Sequence, residues 1–69
     1  MQLMLSESGT ALRKYGACLA VHRKDGSHVE VPVEDVTEIP IAGSGITLSS
    51  DAIALAARAG LAIVFIEHL

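Results

Sequence analysis

The sequence predicts an α+β fold, in which an antiparallel β-meander packs with one short helix and the chain ends in a buried strand after a crossover. Three observations predict it. Short segments of alternating polar and apolar residues, separated by glycine-containing turns, fill the first half of the chain. A pattern of small and apolar residues between Ser49 and Gly60 indicates a helix. The apolar run from Leu61 to Ile66 follows it, and such a run is typical of a strand covered on both faces.

Length and composition limit the class of protein. The chain has 69 residues, which makes one small domain of marginal stability. Its single cysteine, Cys18, excludes an internal disulfide and suits a reducing compartment, so we expect a cytoplasmic protein without membrane partners. A net charge of −3 with five basic residues provides no polybasic surface for nucleic acid. Because 51% of the residues are hydrophobic, we expect another chain to cover part of the apolar surface.

The first hairpin of the meander is predicted between Thr10 and Arg23, with Tyr15 and Gly16 as a two-residue turn. This turn places Leu12 opposite Leu19 and Thr10 opposite Val21. Apolar residues then share one face of the pair.

The second hairpin has a predicted three-residue loop, Lys24 to Gly26, with Gly26 in a left-handed conformation. This loop places Val21 opposite Val29, whereas a two-residue loop would place Val21 opposite Glu30 and mix the two faces. One face of the predicted meander is apolar and consists of Leu12, Ala17, Leu19, Val21, Val29, Val31 and Val33. The other face is partly hydrated and consists of Arg13, Cys18, Ala20, His22, His28 and Glu30.

The rest of the chain is predicted as strand, loop, strand, helix and strand. Pro32 lacks an N–H group, which indicates an edge strand. The alternation from Val36 to Ile41 predicts another strand, and a loop follows at 42–45. Ser49 is the predicted N-cap of the helix, and Gly60 ends it.

The helix carries favourable charges for its dipole, with Asp51 in the first turn and Arg58 in the last. Its remaining residues are apolar on nearly every side. This pattern predicts a helix buried on more than one face.

His22 and His28 are cross-strand neighbours in the predicted register, which is the arrangement required to share a metal ion. A zinc site needs a third or fourth ligand, and only Cys18 and Glu30 lie on the same face. We therefore interpret the pair as two half-exposed histidines on a polar sheet face and keep metal binding as the alternative.

Other reactive residues have simpler explanations than catalysis. Cys18 has no base within reach and is interpreted as an inert thiol. Glu67 and His68 are adjacent in a strand and point to opposite faces, so they do not act together. The glycines of segment 43–45 lack the lysine of a phosphate-binding loop and indicate a turn.

Two basic pairs are candidates for contacts with DNA phosphates. Arg13 and Lys14 precede the first turn, and Arg23 and Lys24 lie at the second. Because the two turns are at opposite ends of the hairpins, the pairs do not form one patch. Their predicted contribution to affinity is small.

The order of the elements resembles the N-terminal β-rich domain of CRISPR-associated protein one, the endonuclease and integrase of CRISPR adaptation. The resemblance extends over almost the whole chain. It is carried by Ser8-Gly9-Thr10, Gly16 before an apolar strand, the segment Val31 to Val36, the segment Gly45 to Ala52, Gly60 and the run Ile63 to Ile66.

This resemblance implies a function for a longer parent protein. The parent is expected to be a DNA endonuclease and integrase dependent on Mg²⁺ or Mn²⁺, which acts with CRISPR-associated protein two in antiviral defence. Its catalytic Glu, His and Asp are expected in a helical domain, so no catalytic, cofactor or metal role is assigned to residues 1–69. The chain's abrupt end after a buried-type strand agrees with a fragment of a longer protein.

The resemblance also implies that segment 1–69 is a single domain that forms a homodimer interface and contributes surface to double-stranded DNA. Ile39, Ile41, Ile63 and Phe65 are the candidate dimer-face residues, because their segments have an excess of apolar side chains. The alternative function is a free-standing β-rich protein-interaction module without catalysis.

Overall fold

A computed structural model describes residues 1–67 and confirms the α+β class. In chain order the elements are β1 (Ala11–Tyr15), β2 (Cys18–His22), β3 (His28–Pro32), a 3₁₀ turn (Val33–Asp35), β4 (Glu38–Ile41), β5 (Thr47–Leu48), α1 (Ser50–Arg58) and β6 (Ala62–Phe65). The strand predicted from Val36 begins at Glu38, because Val36 is the C-cap of the 3₁₀ turn and its N–H donates to the Val33 carbonyl.

The strands form two sheets. The first sheet has the order β3-β2-β1-β5, with antiparallel pairing along the meander and β5 parallel to β1. The second sheet pairs β4 with β6 in parallel. The N-terminal segment extends the second sheet, because the N–H groups of Leu3 and Leu5 each donate to a β4 carbonyl at 2.9 Å. Strand β3 lies at an edge of the first sheet, as Pro32 predicted.

The register of the first hairpin differs from the prediction by two residues. Leu12 pairs with Val21, and Tyr15 pairs with Cys18, so the turn consists of Gly16 and Ala17. Gly16 has a φ of +59° and occupies the first position of the turn, where a primed hairpin turn requires positive φ. Because a shift of two keeps every side chain on its own face, the predicted faces persist.

The second hairpin has the predicted register. Val21 pairs with Val29, and His22 pairs with His28. The loop is closed by a 2.8 Å hydrogen bond from the Arg23 N–H to the Ser27 carbonyl, and Gly26 is left-handed. The apolar face is less continuous than predicted, because Ala17 in the turn and Val29 on the edge strand are exposed.

The core lies between the inner face of the first sheet, strand β4, the N-terminal segment and α1. Its most buried large side chains are Leu12, Leu19 and Ile39. Ala52 and Ala56 of α1 are fully buried, and small residues at these positions let the helix approach β1 closely.

Helix α1 begins as predicted and is less buried than predicted. The Ser49 hydroxyl accepts from the Ala52 N–H at 3.1 Å, and Gly60 is left-handed after the last turn. Only Ala52, Leu55 and Ala56 are buried, and Ile53 is exposed. The prediction of burial on several faces was wrong because the two sheets cover one side of the helix.

The predicted strand, helix and strand of the crossover are present, and the two strands belong to different sheets. Strand β5 belongs to the first sheet, where the Thr47 N–H donates to the Thr10 carbonyl, whereas β6 pairs with β4 of the second sheet. The helix thus connects the two sheets. The prediction that β6 is covered on both faces was also wrong, because its residues are exposed or half-buried.

Candidate functional site

The outer surface of the first sheet carries the reactive side chains in three cross-strand rows, which we call the polar face. The rows are Tyr15, Cys18 and Pro32; Arg13, Ala20 and Glu30; and Ala11, His22 and His28. Ala20 is buried although it lies on this face, because its neighbours in the register are larger.

The two histidines of the polar face are in contact. The ring centroids of His22 and His28 are 5.1 Å apart, and the ring planes differ by 15°, which is a stacked arrangement. The Glu30 Oε2 atom lies 3.4 Å from the His28 Nε2 atom, with both side chains substantially exposed. The predicted proximity of the two histidines is therefore confirmed.

The remaining reactive residues are not brought together. Cys18 is a free, half-buried thiol at the far end of β2 from His22. Glu67 is exposed, and His68 lies outside the described residues. Within residues 1–67, no group of three His, Cys, Asp or Glu side chains is placed to hold a metal ion. This part of the chain does not fit the Mg²⁺ or Mn²⁺ that the resemblance implies.

The four candidate DNA contacts are exposed and form two separate pairs. Arg13 and Lys14 lie at the end of β1, and Arg23 and Lys24 lie in the loop between β2 and β3. Lys14 pairs with Leu19, so the two pairs are separated by roughly 14 Å along β2 at about 3.4 Å per residue.

The loop that holds the second basic pair also contains an acidic residue, Asp25. The Ser27 hydroxyl and the Ser27 N–H donate to the Asp25 Oδ1 atom at 2.6 and 2.8 Å. The hydroxyl hydrogen bond, followed by the backbone one, lowers the pKa of Asp25 from its ordinary value of 3.8. The carboxylate therefore links Asp25 to Ser27 within the loop that carries Arg23 and Lys24.

The glycine-containing loop at 43–45 packs on the loop at 6–9. A Cβ atom at Gly43 would overlap the Ser6 carbonyl oxygen, and the Gly9 N–H donates to the Gly45 carbonyl at 2.9 Å. Backbone packing therefore explains the Gly43 position. The segment is a turn, in agreement with the prediction.

Strand β6 presents an apolar surface, which we call the β6 surface and define as Ile63, Val64, Phe65 and Ile66. Ile63 is half-buried and packs against the core, whereas the other three are exposed. Phe65 is 68% exposed, and Val64 and Ile66 are each 41% exposed. One edge of β6 pairs with β4, and the other edge has no strand neighbour within residues 1–67.

The four candidate dimer-face residues fall into two groups, which differ in burial. Ile63 and Phe65 belong to the β6 surface, whereas Ile39 and Ile41 are 0% and 5% exposed in the core. Core side chains are not available to a second chain, so only the β6 residues remain candidates. Val64 and Ile66 belong with them, and their place in the same apolar run was the signal in the sequence.

The architecture defines a small two-sheet α+β domain without an assembled catalytic site in the described residues. The helix α1 has nine residues, and no helix within residues 1–67 is long and apolar enough to cross a membrane.

Solved structures share this architecture. A Cas1 protein from Thermotoga maritima superposes with a TM-score of 0.77 over 94% of this chain at 22% identity. A casposase bound to integration product superposes with a TM-score of 0.76 over 96% of this chain, at 18% sequence identity. A Cas1 in a complex with DNA (TtCas1) superposes with a TM-score of 0.68 over 84% of this chain, at 16% sequence identity. The present chain covers 20%, 21% and 21% of these three proteins, respectively.

The sequence itself identifies the family. The family model for CRISPR associated protein Cas1 matches residues 3–69, so the chain belongs to the Cas1 family. No curated protein matches the chain in sequence. The predicted resemblance is confirmed.

Proposed function

We propose that this domain forms the homodimer interface of a Cas1-type DNA endonuclease and integrase and helps to position double-stranded DNA. The observation that carries the proposal is the β6 surface, where an unpaired strand edge coincides with exposed apolar side chains. Such an edge favours pairing with another chain, and burial of Phe65 and its neighbours would stabilise the contact.

A second copy of the chain is the occupant that fits this surface. The β6 surface is apolar and uncharged, so two copies meet there without charge repulsion. Charged residues are depleted from the centres of protein interfaces, whereas aromatic residues such as Phe65 are enriched there.

The proposed DNA contacts are the two basic pairs. Proteins of similar fold have been solved with DNA and with an integration product, which supports DNA as the partner. The net charge of −3 limits the share of affinity that this domain contributes. We assign it a positioning role.

The chemistry is proposed to belong to the rest of the parent protein. The present chain spans about a fifth of the length of its solved relatives. A catalytic Glu, His and Asp, a Mg²⁺ or Mn²⁺ ion and the contact with CRISPR-associated protein two are proposed to lie outside it. We propose a cytoplasmic location for the assembly.

Light scattering over a dilution series of the 69-residue chain tests the dimer. We expect a dimer for the natural chain and a monomer for Phe65→Ser. Tyr15→Ser is a matched control, because Tyr15 on the polar face is 67% exposed and Phe65 is 68% exposed. A dimer that survives Phe65→Ser, or one that dissociates in Tyr15→Ser, would contradict the proposal.

A further inference from the structure

We propose that His22 and His28 form a chelating site for a transition-metal dication of the Zn²⁺, Ni²⁺ and Cu²⁺ class. The proposed site depends only on residues of the polar face. Three features support it: the strand register, the ring geometry and the position of Glu30.

The register gives the two histidines the closer type of cross-strand contact. Arg23 and Ser27, the next cross-strand pair after His22 and His28, are a hydrogen-bonded pair, because the Arg23 N–H donates to the Ser27 carbonyl. Because the two types of pair alternate along antiparallel strands, His22 and His28 form a non-hydrogen-bonded pair. Side chains approach each other most closely in such pairs.

The stacked rings must rotate before they can share an ion, because each nitrogen binds a metal in the plane of its own ring. Their centroids are 5.1 Å apart, and two nitrogens bound to one tetrahedral metal at ordinary bond lengths lie roughly 3 Å apart. Rotation about χ2, which is a broad torsion in histidine, brings the nitrogens together.

Glu30 supplies an orienting group. Its Oε2 atom lies 3.4 Å from the His28 Nε2 atom, so the carboxylate can accept from that nitrogen and leave Nδ1 free for the metal. The His28 side chain is 51% exposed, which leaves room for water to complete the coordination.

The donor set determines the class of ion. Imidazole suits Zn²⁺, Ni²⁺ and Cu²⁺, whereas Mg²⁺ prefers oxygen ligands. A bound ion would link β2 to the edge strand β3 and would stabilise the folded chain by mass action.

The test is calorimetric titration and thermal unfolding of the 69-residue chain with ZnCl₂, NiCl₂ and MgCl₂. We expect Zn²⁺ and Ni²⁺ to bind and to raise Tm, and Mg²⁺ to do neither. His22→Gln and His28→Gln should each weaken binding by at least about tenfold, because metal affinity depends on ligands and their orienting partners. His68→Gln and Cys18→Ser, which remove the third histidine and the only thiol, should bind as the natural chain does.

A measurement on the natural chain does not depend on the folding of the variants. Zn²⁺ should shift the imidazole ¹⁵N resonances of His22 and His28 together. Three results would each overturn the proposal: no shift of these resonances, unchanged binding in His28→Gln, or loss of binding in His68→Gln or Cys18→Ser.

Discussion

The polar face and the β6 surface are both open to solvent, and they differ in what they present. On the polar face, the outward rows carry charged and hydrogen-bonding side chains, as expected for an antiparallel sheet with one hydrated side. On the β6 surface, consecutive apolar residues are exposed. The first region needs no cover, whereas the second has the composition of an interface. The comparison teaches that the polar face is suited to water, whereas the β6 surface is suited to contact with a partner.

The largest expected effect distinguishes apolar residues of the core from those of the β6 surface. Leu19 is fully buried, so Leu19→Ala should lower the free energy of unfolding by about 2–5 kcal/mol. Val64→Ala should lower it by less than about 1 kcal/mol, because Val64 is 41% exposed. Urea denaturation at a concentration that favours the monomer measures both values. Equal losses would mean that β6 is covered in the monomer, contrary to the comparison.

An intermediate effect is expected for DNA binding by the basic pair in the loop between β2 and β3. Replacement of Arg23 and Lys24 together by alanine should make the slope of log K against log salt less steep by about 2. Each phosphate contact contributes about 0.9 to the steepness of this slope. The slope is measured by titrating duplex DNA at several salt concentrations.

Arg58→Ala is the control for this experiment, because Arg58, in the last turn of α1, is the one lysine or arginine of the sequence outside the two basic pairs. The control should leave the slope unchanged. If Arg58→Ala lowered the slope more than the double variant did, the basic pairs would not be the DNA contacts.

The smallest expected effect is a pH dependence of the loop between β2 and β3. The folded-state pKa of Asp25 lies below 3.8, so the hydrogen bonds to Ser27 stabilise the fold fully above that pH. This contribution is lost as the pH falls through the lower, folded-state pKa. Asp25→Asn and the natural chain are compared by acid titration. The free energy of unfolding should fall less on acidification in the variant than in the natural chain. An identical loss in both would contradict this role for Asp25.

Local chemistry allowed much of the fold to be predicted from the sequence. The Ser49 cap, the Gly60 terminus and the loop at Gly26 each depend on a few neighbouring residues, and all three were confirmed. The first hairpin was more difficult, because Gly16 suits either position of a two-residue turn and both registers keep apolar residues on one face.

Burial was less predictable than secondary structure. The apolar run of β6 has the same composition whether its cover comes from its own chain or from another, so the pattern alone indicated a covered strand. Similarly, Ile39 and Ile63 are paired neighbours in the second sheet, yet only Ile39 is fully buried. That distinction depends on the packing of α1 and the N-terminal segment, which periodicity does not encode.

Amide hydrogen exchange of β6 tests the central claim most directly. The Ile66 N–H donates to the Ile41 carbonyl, and alternate residues of a strand direct their N–H groups to the same edge, so the Phe65 N–H points to the open edge. If a second copy pairs with that edge, the Phe65 amide should be protected at high protein concentration and should exchange rapidly on dilution, while Val64 stays protected. Equally rapid exchange of Phe65 at all concentrations at which light scattering detects a dimer would contradict the account.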